Sequence, residues 1–390
     1  MSTAEFSTTE ASTTEPGTTE PGTTPAAGLG SEVLLQEFGR GVGARAPEPD
    51  RLEVPADEAG AFTDSYASHG WGDGLPLVAP TPARVDAMLA ETAGDPDEVL
   101  GILPPRFGRV TRRLVAINAV LAGCTPDVMP VLVTAARALA RPELNLRGVN
   151  ATTHPVAPLL IVHGDAVGAC GFNAGIGAFG PGTRANATVG RAVRLLLLHV
   201  GGARPGDGDA AQHGQPSKYT YCVAEHESAS PWGGYARTRG VDAPSAITIH
   251  CGENPHNAHD MEASTPGPIL DKCASAMASL GQNNACIAQG EYFVLLGPEH
   301  AATIAAAGWG RRDVSLYLYE RARLPAGLLR HHFESRAWMP WMEGVPDDHM
   351  LPMTGHPDNV RVLVVGGPGK HSCVVPSWGM TTSVTLPVEG

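Results

Sequence analysis

From Trp71 onward, short aliphatic runs alternate with helix-length amphipathic segments, and this alternation constrains the fold more than any other feature of the sequence. The aliphatic runs are Pro158 to Val162, Ala246 to His250, Tyr292 to Leu296 and Arg361 to Val365, each of strand length. Between them lie helix starts marked by a capping residue followed by proline. Thr81-Pro82 opens a segment to about Thr92, Thr125-Pro126-Asp127 opens one to about Ala140, and Gly297-Pro298 opens one that Gly308 ends. Pro130 falls in a first helical turn, where its missing N–H does no harm. Val110, Leu114, Ile117 and Leu121 recur at helical spacing over 109–122. Arg184 to His199 is a further helix closed by Gly201-Gly202, and Arg311 to Arg323 another. Strands alternating with helices predict an α/β fold, with mostly parallel strands in two lobes. The Gly/Asp/Pro-rich stretches 201–216 and 233–244 are candidate boundaries, and a cut near 240 divides lobes 31–240 and 241–390.

Residues 1–30 stand apart. They repeat Thr-Thr-Glu-Pro-Gly, with four Glu and no Lys or Arg, and such a stretch buries too little apolar surface to offset its chain entropy. This predicts a disordered N-terminal tail. Residues 31–68 read as a leading helix and strap. The whole chain of 390 residues carries 27 Lys and Arg against 40 Asp and Glu, a formal charge of −13, which argues against a nucleic-acid partner. The longest aliphatic run, Leu195 to Val200, is far short of the ~20 residues that span a bilayer, so no membrane partner is expected. The N-terminus has neither the basic nor the apolar region of a signal peptide. Seven cysteines with no C-x-x-C pair point to reduced thiols and a cytoplasmic setting. A homo-oligomer stays open at this stage.

Three stretches carry candidate chemistry. The first is the glycine-rich loop 173–186, which contains Gly175, Gly177, Gly180 and Gly182 and leads into a helix start with Arg184 and Asn186. Its literal G-x-G-x-x-G is a weak dinucleotide fingerprint, because no strand ends before it, Pro181 interrupts the turn and no acid follows ~20 residues on. As a loop of free N–H groups at a helix start, it is suited to a small anionic substrate. The second comprises two cysteines. Cys124 sits between one helix end and the next helix start, and Cys373 follows the last strand beside Lys370 and His371. A helix dipole or a nearby cation favours a thiolate. His154, just before the strand at 158–162, is a candidate general base. The third is His250-Cys251-Gly252-Glu253-Asn254-Pro255-His256-Asn257-Ala258-His259-Asp260. With Asn254 as a cap and Pro255 as first helical residue, His256 and His259 share a helix face at i, i+3. With His250 they form an alternative site for a divalent metal, with Cys251, Glu253 or Asp260 as further candidate ligands. Tyr221, Glu225 and His226 make a further polar patch near Trp232.

Together these residues resemble a family. Asp73 to Thr81 (DGLPLVAPT), Ala116 to Cys124 (AINAVLAGC), Gly148 to Pro155 (GVNATTHP) and Gly180 to Thr188 (GPGTRANAT) are similar to bacterial proteins grouped with the UGSC-type (seleno)proteins. Pro298 to Ala301, Gly308-Trp309 and the closing Gly366 to Ser372 block also resemble them. The similarity runs from about residue 65 to the C-terminus. The Sec-Gly-Ser-Cys element that names the family is absent, and the chain's only Ser-Cys is Ser372-Cys373. The resemblance implies an enzyme-like α/β scaffold with a thiol theme and names no substrate.

The leading expectation is a small-molecule enzyme that uses a cysteine thiolate for sulfur-related redox, transfer or lyase chemistry. Its cleft would join Cys124, His154, the 175–186 loop and Lys370–Cys373. A metal-dependent lyase or hydrolase on His250, His256 and His259 is one alternative, and a non-catalytic subunit of a biosynthetic pathway is another.

Overall fold

The computed structural model describes residues 31–34, 51–54, 59–285, 290–332 and 344–389. The expected tail, 1–30, lies outside the described residues. Of the leading segment, Ser31–Leu34 pairs antiparallel with Arg51–Val54, and Ala59–Ser68 is helical.

Two four-stranded mixed sheets form the centre. Their strands are β1 (Ala157–Gly164), β2 (Cys222–Ala224), β3 (Ser245–Gly252), β4 (His256–His259), β5 (Tyr292–Leu296), β6 (Val360–Val364), β7 (His371–Pro376) and β8 (Val384–Pro387). The first sheet runs β8-β3-β1-β2 and the second β4-β7-β5-β6. Each has the same polarity, with two antiparallel pairings followed by one parallel pairing. The expectation of mostly parallel strands is therefore corrected, since within these two sheets only β1/β2 and β5/β6 are parallel and the other four pairings are antiparallel. A parallel pair needs a long crossover, which the chain supplies here as helices.

Alternation along the strands sorts side chains into three cores. Leu159, Ile161, Val223, Phe293, Leu295, Leu363 and Val375 meet between the two sheets. Leu160, Val162, Ile247 and Ile249 face the opposite way, toward the helices of the first half. Val294, Leu296, Val362 and Val374 do the same in the second half. The molecule is thus layered helix–sheet–sheet–helix. Strands buried on both faces read as unbroken aliphatic runs, which is why they stood out in the sequence. The outer layers use α1 (Arg112–Ala122), α2 (Met129–Leu139), α3 (Arg184–His199), α4 (Pro266–Met277), α5 (Pro298–Ala306) and α6 (Arg311–Arg321). The Thr111 hydroxyl caps α1 by accepting from Leu114 N–H at 3.2 Å, and Gly123 ends it at φ +89°, a conformation that favours glycine. The residues expected to begin that helix, 109–111, belong instead to a strand, Gly108–Thr111.

The two halves exchange a strand. β4 follows β3 directly but pairs with β7 in the second sheet, and β8 follows β7 but pairs with β3 in the first. The crossing segments are tied together, with Glu253 N–H donating to Pro376 O at 2.8 Å. A cut near 240 leaves β3 with the second half, although β3 is hydrogen-bonded to β1 along its whole length. Among the described residues, no helix is long and apolar enough to cross a membrane.

Candidate functional site

The glycine-rich loop and the closing loop meet. Gly366 N–H donates to Ala174 O at 2.7 Å, and Ile176 lies so close to Gly367 that any side chain at 367 would collide with it. Gly177 (φ +71°) and Gly182 (φ +116°) occupy conformations that other residues rarely adopt. Asn186 is buried and serves as the loop's clasp. It accepts from Asn173 N–H at 2.8 Å and donates to Asn173 O at 2.9 Å and Ala178 O at 3.1 Å. Gly180 N–H closes a turn onto Gly177 O at 2.7 Å. Arg184 donates from Nε to Gly123 O at 2.8 Å. The N–H groups of Gly369 and Lys370 already hold an anion, the Glu299 carboxylate, at 2.6 and 2.7 Å, which keeps that carboxyl below its usual range. Lys370 Nζ donates to Met261 O at 2.8 Å.

A second group gathers where the crossing segment 252–256 leaves the first sheet. His154 Nε2 lies 2.9 Å from Glu253 Oε1. The other ring nitrogen, Nδ1, is enclosed and has no hydrogen-bond partner. A carboxylate on Nε2–H fixes the tautomer that leaves Nδ1 with a bare lone pair, the form a general base needs. The Tyr221 hydroxyl donates to Glu253 O at 2.6 Å, and burial raises its pKa well above the usual tyrosine range, so it stays protonated. Cys373 packs against the same inter-sheet core as the Tyr221 ring. Phe179 of the glycine loop packs 6.1 Å from the Tyr221 ring. On the same face of β7 as Cys373, His371 Nδ1 meets Asn257 Oδ1 at 2.9 Å, and its ring lies 4.9 Å from that of His259. Burial pushes the Cys373 thiol up to about 12, so at neutral pH it is a thiol and not a thiolate.

Of the expected site residues, the glycine loop packs on Tyr221 through Phe179, and Cys373 packs against the same inter-sheet core. The Tyr221 hydroxyl reaches the backbone of Glu253, which holds His154, and His371 stands two residues along β7 from Cys373, opposite His259. Cys124 does not join them. It belongs to the helical core on the outer face of the first sheet, whereas Cys373 packs on the core between the sheets. Burial pushes its thiol up to about 12 as well, outweighing the nearby Arg184 charge. The expected metal set also disperses. Residues 256–259 are a strand and not a helix, because they complete the second sheet against β7. At strand periodicity His256 and His259 point to opposite faces. His250 is fully buried against Phe293, at 4.3 Å between rings, and burial lowers its imidazole to about 4.

The sequence reading passed over His163. It ends the aliphatic β1 run, and its Nδ1 lies 2.7 Å from Glu225 Oε2 while Nε2 lies 2.8 Å from Thr248 Oγ1. Thr248 Oγ1 in turn lies 2.9 Å from Thr385 Oγ1. This carboxylate–imidazole–hydroxyl chain resembles a nucleophile relay, but Thr248 is 0% exposed, so no substrate reaches its hydroxyl. A cavity of about 250 Å³ touches His163 and Glu227, and ligand atoms of His163, Glu225 and Glu227 lie within 4.8 Å of one another. They do not suit a divalent metal. The Glu225 carboxylate already accepts from Tyr235 N–H and from the Arg311 guanidinium at 3.3 Å, and both His163 nitrogens are engaged.

A cavity of about 750 Å³, ample for a small metabolite, is walled by segment 209–219. Asp209 within it is held by Arg194 at 2.9 Å and Lys218 at 2.7 Å. Two residues of this wall reach the seam: Gln212 N–H donates to Thr153 O at 2.9 Å and Gln215 Nε2 to Gly252 O at 3.1 Å. Comparison with known proteins finds no matching family model, no matching curated protein and no matching solved structure.

Proposed function

We propose that the chain is a small-molecule enzyme whose site is the seam of His154, Glu253, Tyr221, Cys373 and His371. The observation that carries this reading is the His154–Glu253 pair, in which Nε2 is tied to a carboxylate and Nδ1 has no partner. Glu253 orients the ring, Tyr221 anchors the Glu253 backbone, and Nδ1, which is enclosed, takes a proton from within the seam and not from solvent. Cys373 rests as a neutral thiol and becomes nucleophilic only as an imidazole removes its proton. The uncapped first turn of α3 and the glycine loop favour an anionic substrate, since Thr183 provides no side-chain cap. The reaction class is sulfur-related redox, transfer or lyase chemistry.

Covalent labelling tests this without knowledge of the substrate. Free thiols react more slowly with iodoacetate than with iodoacetamide. At this seam the anionic reagent should label Cys373 faster and saturably, and His154→Gln should slow labelling about tenfold or more. If Cys373 labels no faster with iodoacetate, or if His154→Gln has no effect, the reading fails.

A further inference from the structure

Where β4 pairs with β7, two histidines face each other across the strands, His259 directly opposite His371. The next pair along, Asp260 and Lys370, is in the hydrogen-bonded phase, with Asp260 N–H donating to Lys370 O at 3.3 Å. Antiparallel pairs alternate, so His259 and His371 form a non-hydrogen-bonded pair, the kind that brings side chains closest on one face of the sheet. Their ring centres lie 4.9 Å apart and the rings are inclined at 35°. A metal about 2.0–2.1 Å from one nitrogen of each ring, with about 90–110° between the two bonds, sets ring centres about 4.5–5.2 Å apart. The observed separation lies inside that window.

The surroundings orient this pair. His371 Nδ1 lies 2.9 Å from Asn257 Oδ1, an acceptor that keeps the proton on Nδ1 and leaves the Nε2 lone pair bare. Metal-binding histidines commonly donate their second N–H to such an outer acceptor. Among the described residues, neither His371 Nε2 nor either ring nitrogen of His259 has a hydrogen-bond partner. The residues that follow the two histidines are clamped by one buried imidazole. His300 Nδ1 lies 2.8 Å from Ser372 Oγ, and its Nε2 lies 3.0 Å from Asp260 O. A pair fixed on two clamped strands needs little reorganisation to share a ligand. The neighbouring carboxylates are already engaged. Asp260 accepts from Lys272 and from the N–H groups of Glu262 at 3.0 Å and Ala263 at 2.7 Å, and Glu299 accepts from Gly369 and Lys370.

We propose that His259 and His371 are the two protein ligands of a divalent transition-metal site, with Asn257 as the positioning residue that orients His371. Two neutral imidazoles without a free carboxylate select zinc, nickel or copper over magnesium or calcium. Two protein ligands leave at least two positions of a tetrahedral ion for water or for a donor atom of a small anion. The site goes beyond the thiol chemistry proposed above. It turns on His259, Asn257 and His300, none of which removes a proton from Cys373, and it leaves His154 as that base.

The test is calorimetric titration of the untagged full chain with Ni²⁺ and Zn²⁺ at neutral pH in a non-coordinating buffer, with Mg²⁺ in parallel. Saturable Ni²⁺ binding with a Kd below about 100 μM is expected, and no Mg²⁺ binding. His259→Gln and His371→Gln should each weaken Ni²⁺ binding about tenfold or more. Asn257→Leu should weaken it about tenfold, and Asn257→Asp, which keeps the acceptor, should restore it. His256→Gln, on the opposite face of β4, should leave it unchanged. All four side chains are exposed, so the variants should fold, and thermal midpoints check this. Iodoacetate labelling of Cys373 in metal-free protein reads the thiol site separately, so either proposal can fail while the other stands. No saturation up to about 1 mM Ni²⁺, unchanged affinity in both His259→Gln and His371→Gln, or an equal loss in His256→Gln overturns the proposal.

Discussion

Replacing Glu225 by Gln isolates one charge in the interior and gives a magnitude that the structure sets. The carboxylate is about 1% exposed and accepts from His163 Nδ1 at 2.7 Å, Tyr235 N at 2.9 Å and Arg311 Nη2 at 3.3 Å. Glutamine has the same shape, so packing is unchanged. Its amide nitrogen, however, must face one of three donors, and Arg311 loses its counter-charge. Breaking a buried pair costs about 3–5 kcal/mol. Arg311 keeps three carbonyl partners and lies 5.9 Å from the Trp232 ring centre, so the lower end of that range applies. At about 2 °C per kcal/mol for a chain of this size, the melting midpoint should fall by about 6 °C in scanning calorimetry. Thr248→Val removes only the hydroxyl that meets His163 Nε2 and should cost about 1–3 kcal/mol. A Glu225→Gln variant within about 1 kcal/mol of the parent, or one less destabilised than Thr248→Val, would refute the buried relay.

Acid stability is set in part by buried imidazoles. Burial lowers His199 from 6.5 to about 3 and His250 from 6.5 to about 4, so their stabilising contribution is present above pH 6.5 and is lost as pH falls toward 4. His250→Phe should therefore shift the acid-unfolding midpoint, followed by circular dichroism, to lower pH, and an unchanged midpoint contradicts the burial argument. The Cys124, Cys251 and Cys273 thiols are pushed from 9.0 up to about 12, so the native protein should leave them unreacted with Ellman's reagent at pH 8 and expose them in urea. Because these pKa values are raised, stability should decline as pH rises from about 9 toward 12, and rapid native labelling of Cys124 would place it wrongly.

Helix starts and strand positions were legible because their signals are local. The Thr81 hydroxyl does accept from Arg84 N–H, at 3.4 Å, and Tyr292–Leu296 is a strand as its aliphatic run requires. Strand polarity was not legible. An unbroken aliphatic run reports burial on both faces, and a second sheet supplies that burial as well as a layer of helices does. His256–His259 misled because Asn254-Pro255 looks like a helix start, whereas the segment is drawn into pairing with β7, far along the chain. At the seam, His154 and Cys373 were visible as isolated reactive residues, but Glu253 was read only as a metal ligand. Its role at His154 depends on a contact across 99 residues. His163 offered a fainter signal, a single polar residue near the end of an apolar strand, with Glu225 directly after the strand beside it.

The central claim is that His154 is a base oriented by Glu253. Nitrogen-15 NMR on histidine-labelled protein at neutral pH measures this directly through the tautomer. The account predicts that His154 carries its proton on Nε2 with Nδ1 unprotonated, and that Glu253→Gln abolishes this preference. A proton on Nδ1, or a tautomer indifferent to Glu253→Gln, would contradict it.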